Sequence, residues 1–215
     1  MTTINVSVKA LKAAVEFAAK KDIRYYLNGV LVQASADETR IVGTDGHILG
    51  AFREDHENDV DGTVELIIPY DVIQGIKLTA KQMKGRIISL TPVDEGLWQF
   101  YVSAVPTLFK PVDGKFPEYQ RVIPTHDGGV PVGPTQYNDV LLSRVGKAIQ
   151  IWTESKAGWM AYRLVHAGDG LAARIESAVV KGGNFVGAIM PIRAKCEWST
   201  WHSWAKNRIG AEVPA

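Results

Sequence analysis

The amino-acid sequence predicts an α+β fold in which a β-α-β-β-β unit is repeated, with antiparallel sheets outside and helices on one face. Three observations lead to this prediction. The same order of patterns, a strand, a helix and three further strands, is written three times over about 190 residues. Short polar turns join the strands, which favours antiparallel pairing. Each helix has one apolar side, so the helices should share one face of the sheet.

The first repeat begins with a strand at 3–6, and a helix starts at Ser7. The apolar side of this helix is formed by Val8, Leu11, Val15 and Ala18. Strand-favouring bulk predicts a strand over 24–31, interrupted by a bulge at Asn28-Gly29. Further strands are expected at 40–42 and 47–53, on either side of a tight Thr-Asp-Gly-His turn at 44–47.

The second and third repeats follow the same order. For the second repeat we expect a strand at 63–68, a helix at 70–78 and strands at 86–91, 97–104 and 107–110; for the third, a strand at 135–137, a helix at 138–149 and strands at 159–166, 171–177 and 185–191. The acidic stretch 54–61 is interpreted as a solvated connector, because nothing fixes the spacing of its carboxylates for a metal.

The domain organisation is predicted from these repeats and from a change of composition after the second one. Residues 111–135 hold five prolines, which is typical of a linker. The last segment has Trp198, Trp201 and Trp204 at a spacing of three, which predicts a helix from 196 to 207 with an aromatic stripe. We therefore divide the chain into a two-repeat domain at 1–124, a linker at 125–134, a one-repeat partial domain at 135–194 and a Trp-rich tail at 195–215.

Composition narrows the class of protein. The chain has 215 residues, is 46% hydrophobic and 22% charged, and has a net charge of +1, so any contact with nucleic acid requires a local basic surface. A single cysteine, Cys196, excludes an intrachain disulfide and fits a reducing cytoplasm. Neither a leader nor an apolar run long enough for a membrane span is recognisable. The expected localisation is cytoplasmic.

The residues indicate neither catalysis nor a cofactor. Thr44, Asp45 and His47 include the residue types of a nucleophile, an acid and a base, but catalytic triads are assembled from distant positions, and the sequence has no nucleophile elbow or phosphate loop. The five histidines are scattered without the spacing of a metal site. We expect no catalytic residue, no metal and no cofactor, and an enzyme that uses the Asp45-His47 turn is the weakest alternative.

Cations recur on the outer side of each predicted helix. A lysine stripe is usually a solvated surface, but its recurrence in every repeat suggests a continuous surface for phosphates, which are bound without base readout. The candidate DNA-facing residues are Lys9, Lys12, Lys20, Lys77, Lys81, Lys84, Arg144 and Lys147.

Three motifs resemble the bacterial DNA polymerase III β subunit, the sliding clamp. The stretch 24–31 (Arg-Tyr-Tyr-Leu-Asn-Gly-Val-Leu) with 44–49 (Thr-Asp-Gly-His-Ile-Leu) is similar to the signature of the clamp's middle domain. The stretch 114–124 resembles the end of that domain, and 188–193 (Ala-Ile-Met-Pro-Ile-Arg) resembles the family's C-terminal strand. The resemblance implies the DNA-clamp fold in a shortened form that lacks the first domain and part of the last.

The resemblance also implies a cleft that takes the short linear motifs of polymerases, clamp loaders and repair proteins. It places around this cleft Leu27, Thr44, Gly46, His47, Leu49, Pro117, Arg121, Val122, Met190, Pro191, Ile192 and Arg193. An apolar pocket with a few polar groups at its rim is how a peptide anchor is bound. For Leu27 and Val122, simple core packing is an alternative. Ile48 stands where the family usually has arginine, and the Trp-rich tail is additional.

The implied function is that of a replication or repair processivity factor. It would associate with duplex DNA irrespective of sequence and would tether polymerase, clamp-loader or repair proteins through their linear motifs. A complete ring of this family uses twelve repeats, so three repeats per chain imply a homo-tetramer, or a homo-trimer if the short last domain serves as a whole one. The alternative is a monomeric adaptor or decoy that binds clamp partners, or a host clamp, without encircling DNA.

Overall fold

The computed structural model describes residues 2–125, 135–154, 162–168, 170–178 and 184–192. The elements follow the three repeats. The first repeat comprises β1 (Ile4–Ser7), α1 (Val8–Ala14), β2 (Gly29–Ala34), β3 (Glu38–Thr44) and β4 (Ile48–Asp55). The second comprises β5 (Val64–Pro69), α2 (Tyr70–Gly75), α3 (Ala80–Met83), β6 (Ile87–Pro92), β7 (Trp98–Tyr101) and β8 (Pro106–Phe109). The third comprises α4 (Asp139–Thr153), β9 (Tyr162–His166), β10 (Ala173–Ser177) and β11 (Phe185–Ile189).

The repeats are joined by exchange of their first strands. β5 of the second repeat pairs with β2, and β1 of the first repeat pairs with β6, so neither repeat completes a sheet alone. The result is one sheet in the order β1-β6-β7-β8 and another in the order β5-β2-β3-β4-β11-β10-β9. The third repeat joins the larger sheet because β11 pairs with β4, with Phe185 opposite Phe52 and Ile189 opposite Ile48. Every strand pair is antiparallel, as predicted.

The larger sheet buries both of its faces, and the strand period of two assigns each residue to a face. Val30 and Val32 of β2 belong to the main core, which also contains the buried sides of α1, α2 and α4. Leu31 lies between them in the chain and belongs to a second cluster on the opposite face. That second face is covered by the segment 112–123, whose Phe116 and Tyr119 are buried. The helices therefore lie on one side of the sheet and this segment lies on the other.

The acidic connector was predicted wrongly at its first residue. Glu54 belongs to β4 and is buried, and its carboxylate accepts hydrogen bonds from the backbone N of Ser7 at 2.9 Å and from Ser7 Oγ at 2.6 Å. Ser7 Oγ in turn accepts a bond from the backbone N of Ala10 and caps α1. A charge that looked solvated in the sequence thus fixes the start of the first helix.

Three other elements differ from the predicted ones. Residues 25–27 form a 3-10 turn instead of a strand, because the Asn28 side chain exchanges two 2.8 Å hydrogen bonds with the backbone of Asp22 and closes the loop 22–28. Residues 135–137 are not part of a sheet. Within the described part of the chain, their one backbone hydrogen bond to a distant segment runs from Ile192 N to Gln136 O, at 2.8 Å. The predicted helix at 70–78 is shorter in the structure, where α2 ends at Gly75, and the separate helix α3 that follows was not predicted; it starts with a capping box of Thr79 and Gln82. The predicted helix 196–207 lies outside the described residues.

Candidate functional site

The candidate site is a pocket of about 210 Å³ on the outer side of the larger sheet. It lies where the first and third repeats meet, between the turn 44–47, the segment 117–122 and the end of β11. The pocket is lined by Arg24, Tyr26, Leu27, Thr44, Gly46, His47, Ile48, Leu49, Pro117, Glu118, Tyr119, Val122, Ala172, Ala188, Ile189 and Met190.

One wall is the Thr-Asp-Gly-His turn, which its own side chains hold in shape. Thr44 Oγ1 donates to Ile48 O at 2.8 Å and accepts from Gly46 N at 3.1 Å. Asp45 Oδ1 accepts from the backbone N of His47 at 2.9 Å and of Ile48 at 3.0 Å. Gly46 has φ +91°, a conformation that favours glycine, and a Cβ there would also lie 2.9 Å from the Arg24 guanidinium. The turn is therefore rigid before any ligand arrives.

The floor of the pocket is apolar and buried. Leu49 and Ala188 stand opposite each other across the β4–β11 pair, and both belong to the cluster on the outer sheet face. Tyr119 closes the floor from the covering segment; its hydroxyl donates to Gln33 Oε1 at 3.0 Å, and burial raises its pKa. Val122 at the rim is exposed. An apolar floor with an exposed apolar rim suits an apolar anchor side chain of a partner.

The second and third walls are attached to the sheet by backbone hydrogen bonds. Val112 N donates to Ile67 O at 2.9 Å, which starts the covering segment along the edge of β5. Met190 N donates to His47 O at 2.8 Å, which ties the residue after β11 to the turn. The Arg24 side chain donates to both oxygens of Asp22, lowering the pKa of that carboxyl to about 2, and to Asp45 O at 3.1 Å. These contacts give the rim a fixed cation.

The structure brings eight of the twelve predicted cleft residues to this pocket: Leu27, Thr44, Gly46, His47, Leu49, Pro117, Val122 and Met190. Arg121, Pro191 and Ile192 do not line it, since the Arg121 side chain is turned to Glu118 in an exposed ion pair at 2.6 Å and Ile192 is bonded to the backbone of Gln136. Arg193 lies outside the described residues. Among the lining residues that were not predicted, Ala188 was detectable, because it alternates with Ile189 along a predicted strand. Arg24 and Tyr26 lie within the quoted motif.

The candidate DNA-facing cations differ in their solvent exposure and in their contacts with other side chains. Lys20, Lys77, Lys81, Lys84 and Lys147 are exposed. Lys9 lies 3.6 Å from Glu154 and 4.9 Å from the Trp152 ring, so it bridges α1 and α4. Burial lowers the pKa of Lys12, and the nearby charges of Lys77 and Lys147 lower it further while Glu16 opposes them. Lys12 of the first repeat is thus close enough to a cation of each of the other two repeats to be repelled by it.

Arg144 corrects the prediction that it faces outward. Its side chain is only 24% exposed and makes an ion pair with Asp45, with 2.5 Å between Nη1 and Oδ2. Its Nε donates to Glu16 O and its Nη2 to Ala18 O, at 2.5 and 3.0 Å. Arg144 therefore fastens α4 to the turn that follows α1 and to the pocket's turn. The sequence pattern of a helix gives only the angle at which a side chain leaves the helix, so it cannot reveal acceptors that lie far away in the sequence.

The Asp45-His47 turn has no geometry for acid–base chemistry. Asp45 uses Oδ1 for two backbone N–H groups and Oδ2 for Arg144, while the exposed His47 ring stands 4.0 Å from the same carboxylate. Within the described ranges, no group of three or more histidine, cysteine, aspartate or glutamate residues is placed to hold a metal ion. Among the helices of the described residues, none has the length and apolar character required to cross a membrane.

The repeats, the exchanged first strands and the shared outer sheet define the class: this is a protein of the DNA-clamp fold. Residues 4–118 match the family model of the DNA polymerase III beta subunit, central domain. The chain belongs to the DNA polymerase III β subunit family, the beta sliding clamps.

Individual relatives agree with this assignment. The chain is 32% identical to the beta sliding clamp of Pseudomonas putida over 142 residues, which are 62% of this chain and 37% of that protein. It is 30% identical to the Escherichia coli K12 beta sliding clamp over 125 residues, 57% of this chain and 33% of that protein. The matched segments thus span little more than a third of the length of these relatives.

Solved structures show the same fold at lower identity. The DNA polymerase III subunit beta of Pseudomonas aeruginosa superposes with a TM-score of 0.70 at 18% identity, covering 89% of this chain and 66% of that one. A sliding clamp from Bartonella birtlesii, bound to griselimycin, gives a TM-score of 0.66 at 20% identity, covering 90% and 66%. The prediction of a DNA-clamp fold and of membership in this family is confirmed.

Proposed function

We propose that this chain is a clamp-like replication or repair factor without catalytic activity, which tethers partner proteins by a short linear motif seated in the pocket described above. The pocket itself is the observation that supports this proposal. Its volume of about 210 Å³ is below the roughly 300–1,000 Å³ of sites that enclose a drug-sized molecule. A pocket of that size suits one or two anchor side chains of a longer peptide.

The build of the pocket supports a peptide ligand further. Its turn and its covering segment are fixed by internal hydrogen bonds, so little conformational entropy is lost on binding. The apolar floor of Leu49 and Ala188 offers desolvation energy, and the Arg24 guanidinium at the rim offers a donor for a carboxylate or carbonyl. Such a division between apolar anchor and polar rim is typical of linear-motif recognition.

The test is direct binding of a labelled clamp-motif peptide, followed by fluorescence anisotropy. Met190→Ala removes a lining side chain, and we expect it to weaken binding about tenfold, which corresponds to roughly 1.4 kcal/mol. Met83→Ala on α3 is the matched control, since Met83 does not line the pocket. Griselimycin, present in two of the matched clamp structures, is a second probe, and competition with the peptide would place both in one site. Equal affinity of wild type and Met190→Ala would overturn the assignment.

We also propose that the cationic helix face associates with duplex DNA irrespective of sequence. The charges of Lys77 and Lys147 beside Lys12 support this part, because a polyanion relieves the repulsion between cations. Binding to a duplex should weaken steeply with salt, and replacement of Lys9, Lys12, Lys77 and Lys81 by Ala should reduce the slope. Affinity that is independent of salt, or unchanged in the fourfold variant, would contradict DNA association and favour a DNA-independent adaptor.

The domain division is part of the proposal. Residues 1–124 would form one two-repeat domain and 135–194 a one-repeat partial domain, joined by a linker at 125–134 and followed by a Trp-rich tail at 195–215. Support comes from the exchange of first strands between the first two repeats, which makes them one unit. Limited proteolysis tests this division: cleavage should concentrate at 125–134, and early cleavage inside 1–124 would contradict it.

A further inference from the structure

The covering segment 112–123 forms one wall of the pocket, and both of its ends are fastened. At its start, Val112 N donates to Ile67 O on β5 at 2.9 Å. Directly after its end, Pro124 O accepts a 2.8 Å hydrogen bond from Arg174 Nη1. Arg174 belongs to β10 of the third repeat, 50 positions further along the chain. The second fastening therefore joins the wall to a different repeat from the first.

Arg174 lies beside the floor of the pocket. It stands opposite Ala188 in the β10–β11 pair, and Ala188 stands opposite Leu49 in the β11–β4 pair. Residues that face each other across paired strands lie on the same side of the sheet. The side chain of Arg174 is therefore on the outer face, in one row with the two floor residues.

The hydrogen bond also joins two sides of the pocket close to its lining. Val122 and Ala172 line the pocket, one on the covering segment and the other just before β10. Two residues after each of them come Pro124 and Arg174, which are the bonded pair. The contact thus spans the gap between the covering segment and the third repeat next to the pocket. Because Val122 is 51% exposed, burial alone does not hold this rim in place.

The guanidinium of Arg174 is itself held in a fixed orientation. Its Nε donates to Glu176 Oε1 at 2.9 Å, and its Nη2 lies 2.7 Å from the same oxygen. Hydrogen bonds from Arg163 and Arg174 lower the pKa of Glu176, so this carboxylate stays charged at neutral pH. A guanidinium is planar, and its donors form a rigid fork. With Nε and Nη2 engaged by Glu176, Nη1 is directed to Pro124 O, and only 16% of the Arg174 side chain is exposed.

We propose that Arg174 is a positioning residue of the peptide pocket, which fixes the rim at Val122 by holding the carbonyl of Pro124. The inference rests on the proposed function of the pocket as a linear-motif site. A rim that is fixed before binding loses little conformational entropy when the ligand arrives. The middle of the covering segment is held separately by the buried Tyr119 ring and its hydroxyl, which donates to Gln33. Loss of the Arg174 contact should therefore loosen the rim and leave the rest of the segment in place.

The experiment compares peptide affinity in Arg174→Ala and Arg163→Ala, measured by fluorescence anisotropy with the labelled clamp-motif peptide. Arg174→Ala should weaken binding about fivefold, because the loosened rim must be ordered again on binding. Arg163→Ala is the matched control, since it removes the other arginine of Glu176 from the edge strand β9, one strand further from the pocket. Its affinity should equal that of the wild type.

Hydrogen exchange separates positioning from general stability. In Arg174→Ala, the amides at 120–123 should exchange faster than in the wild type, whereas those of β2 and β3 should keep their rates. Glu176→Gln keeps the shape of that side chain but removes the charge that orients Arg174. It should shift affinity and exchange in the same direction by smaller factors, and it repeats the test if Arg174→Ala fails to fold.

Three results would overturn the positioning role: wild-type affinity in Arg174→Ala, an equal loss of affinity in Arg163→Ala, or unchanged exchange at 120–123. In each of these cases the wild type still binds the peptide, so the proposed function would stand. A wild-type protein that binds no clamp-motif peptide would instead overturn the proposed function, and the role of Arg174 with it.

Discussion

The pocket and the cationic helix face lie on opposite sides of the larger sheet and are built on different principles. Every wall of the pocket is fixed by hydrogen bonds and by buried apolar residues. The helix face is a set of long side chains, several of them exposed, and on this face burial and the charges of Lys77 and Lys147 lower the pKa of Lys12. The first region has the character of a preorganised binding pocket for a defined ligand, and the second that of a broad, positively charged surface for a polyanion. Arg144 links them, because it reaches from α4 to the pocket's turn.

The largest effect should come from breaking this link. Arg144→Leu removes three hydrogen-bonding contacts and leaves the half-buried Asp45 carboxylate without its cation. We expect a loss of about 2–3 kcal/mol in the free energy of unfolding, measured by urea denaturation. Peptide affinity should also fall, since Asp45 shapes the turn.

Lys147→Leu is the control for Arg144→Leu, because Lys147 lies three residues further along α4 and its exposed ammonium group makes an ion pair with Glu16. It should cost less than about 1 kcal/mol. A double-mutant cycle of Arg144 and Asp45 that gave no coupling would refute the link.

How well the sequence predicts each region depends on how far apart in the sequence the contacting residues lie. The turn 44–47 was predicted correctly because its bonds join residues at most four positions apart. The strand pattern of β3 and β4 was equally visible, since alternation in the chain becomes alternation of faces. The contacts of Arg144 were not predictable, as its acceptors lie 99 to 128 residues away. The 3-10 turn at 25–27 was missed because aromatic bulk favours strands, while the deciding contact is the Asn28–Asp22 exchange.

A smaller effect is expected from Gly46→Ala, which tests the preorganisation of the pocket. The alanine must adopt φ near +91°, and its Cβ must displace the Arg24 guanidinium. We expect a loss of about 1–2 kcal/mol in stability and a several-fold loss of peptide affinity. Gly62→Ala is the matched control: φ there is +69° and nothing lies within 4 Å of the added Cβ, so it carries the strain without the contact. Equal peptide affinity in the two variants would show that the turn does not shape the site.

A still smaller effect is expected from Tyr119→Phe, which tests how the covering segment is held. The substitution removes the 3.0 Å bond from the hydroxyl to Gln33 and leaves the ring in place. We expect about 1 kcal/mol of destabilisation by thermal unfolding, and little change in peptide binding, because the floor keeps its apolar surface. Tyr101→Phe, at an exposed tyrosine outside the pocket, should leave stability unchanged. A larger loss of peptide affinity than of stability would show that the hydroxyl contacts the ligand.

The smallest effect on stability, and one of opposite sign, is expected at Lys12. Burial and neighbouring cations lower its pKa in the folded protein, so between the folded and unfolded pKa values the unfolded state binds more protons and stability rises with pH. Below the folded pKa the whole cost is present. Lys12→Met should therefore stabilise the protein at neutral pH, by less than about 1 kcal/mol because the site is partly solvated, whereas the exposed Lys81→Met should not. The same Lys12 substitution should weaken duplex DNA binding and reduce the salt slope by about 1. A gain in stability together with a loss of DNA affinity would show that Lys12 destabilises the fold and serves DNA binding. Destabilisation by Lys12→Met would contradict the repulsion between cations on which the helix-face assignment depends.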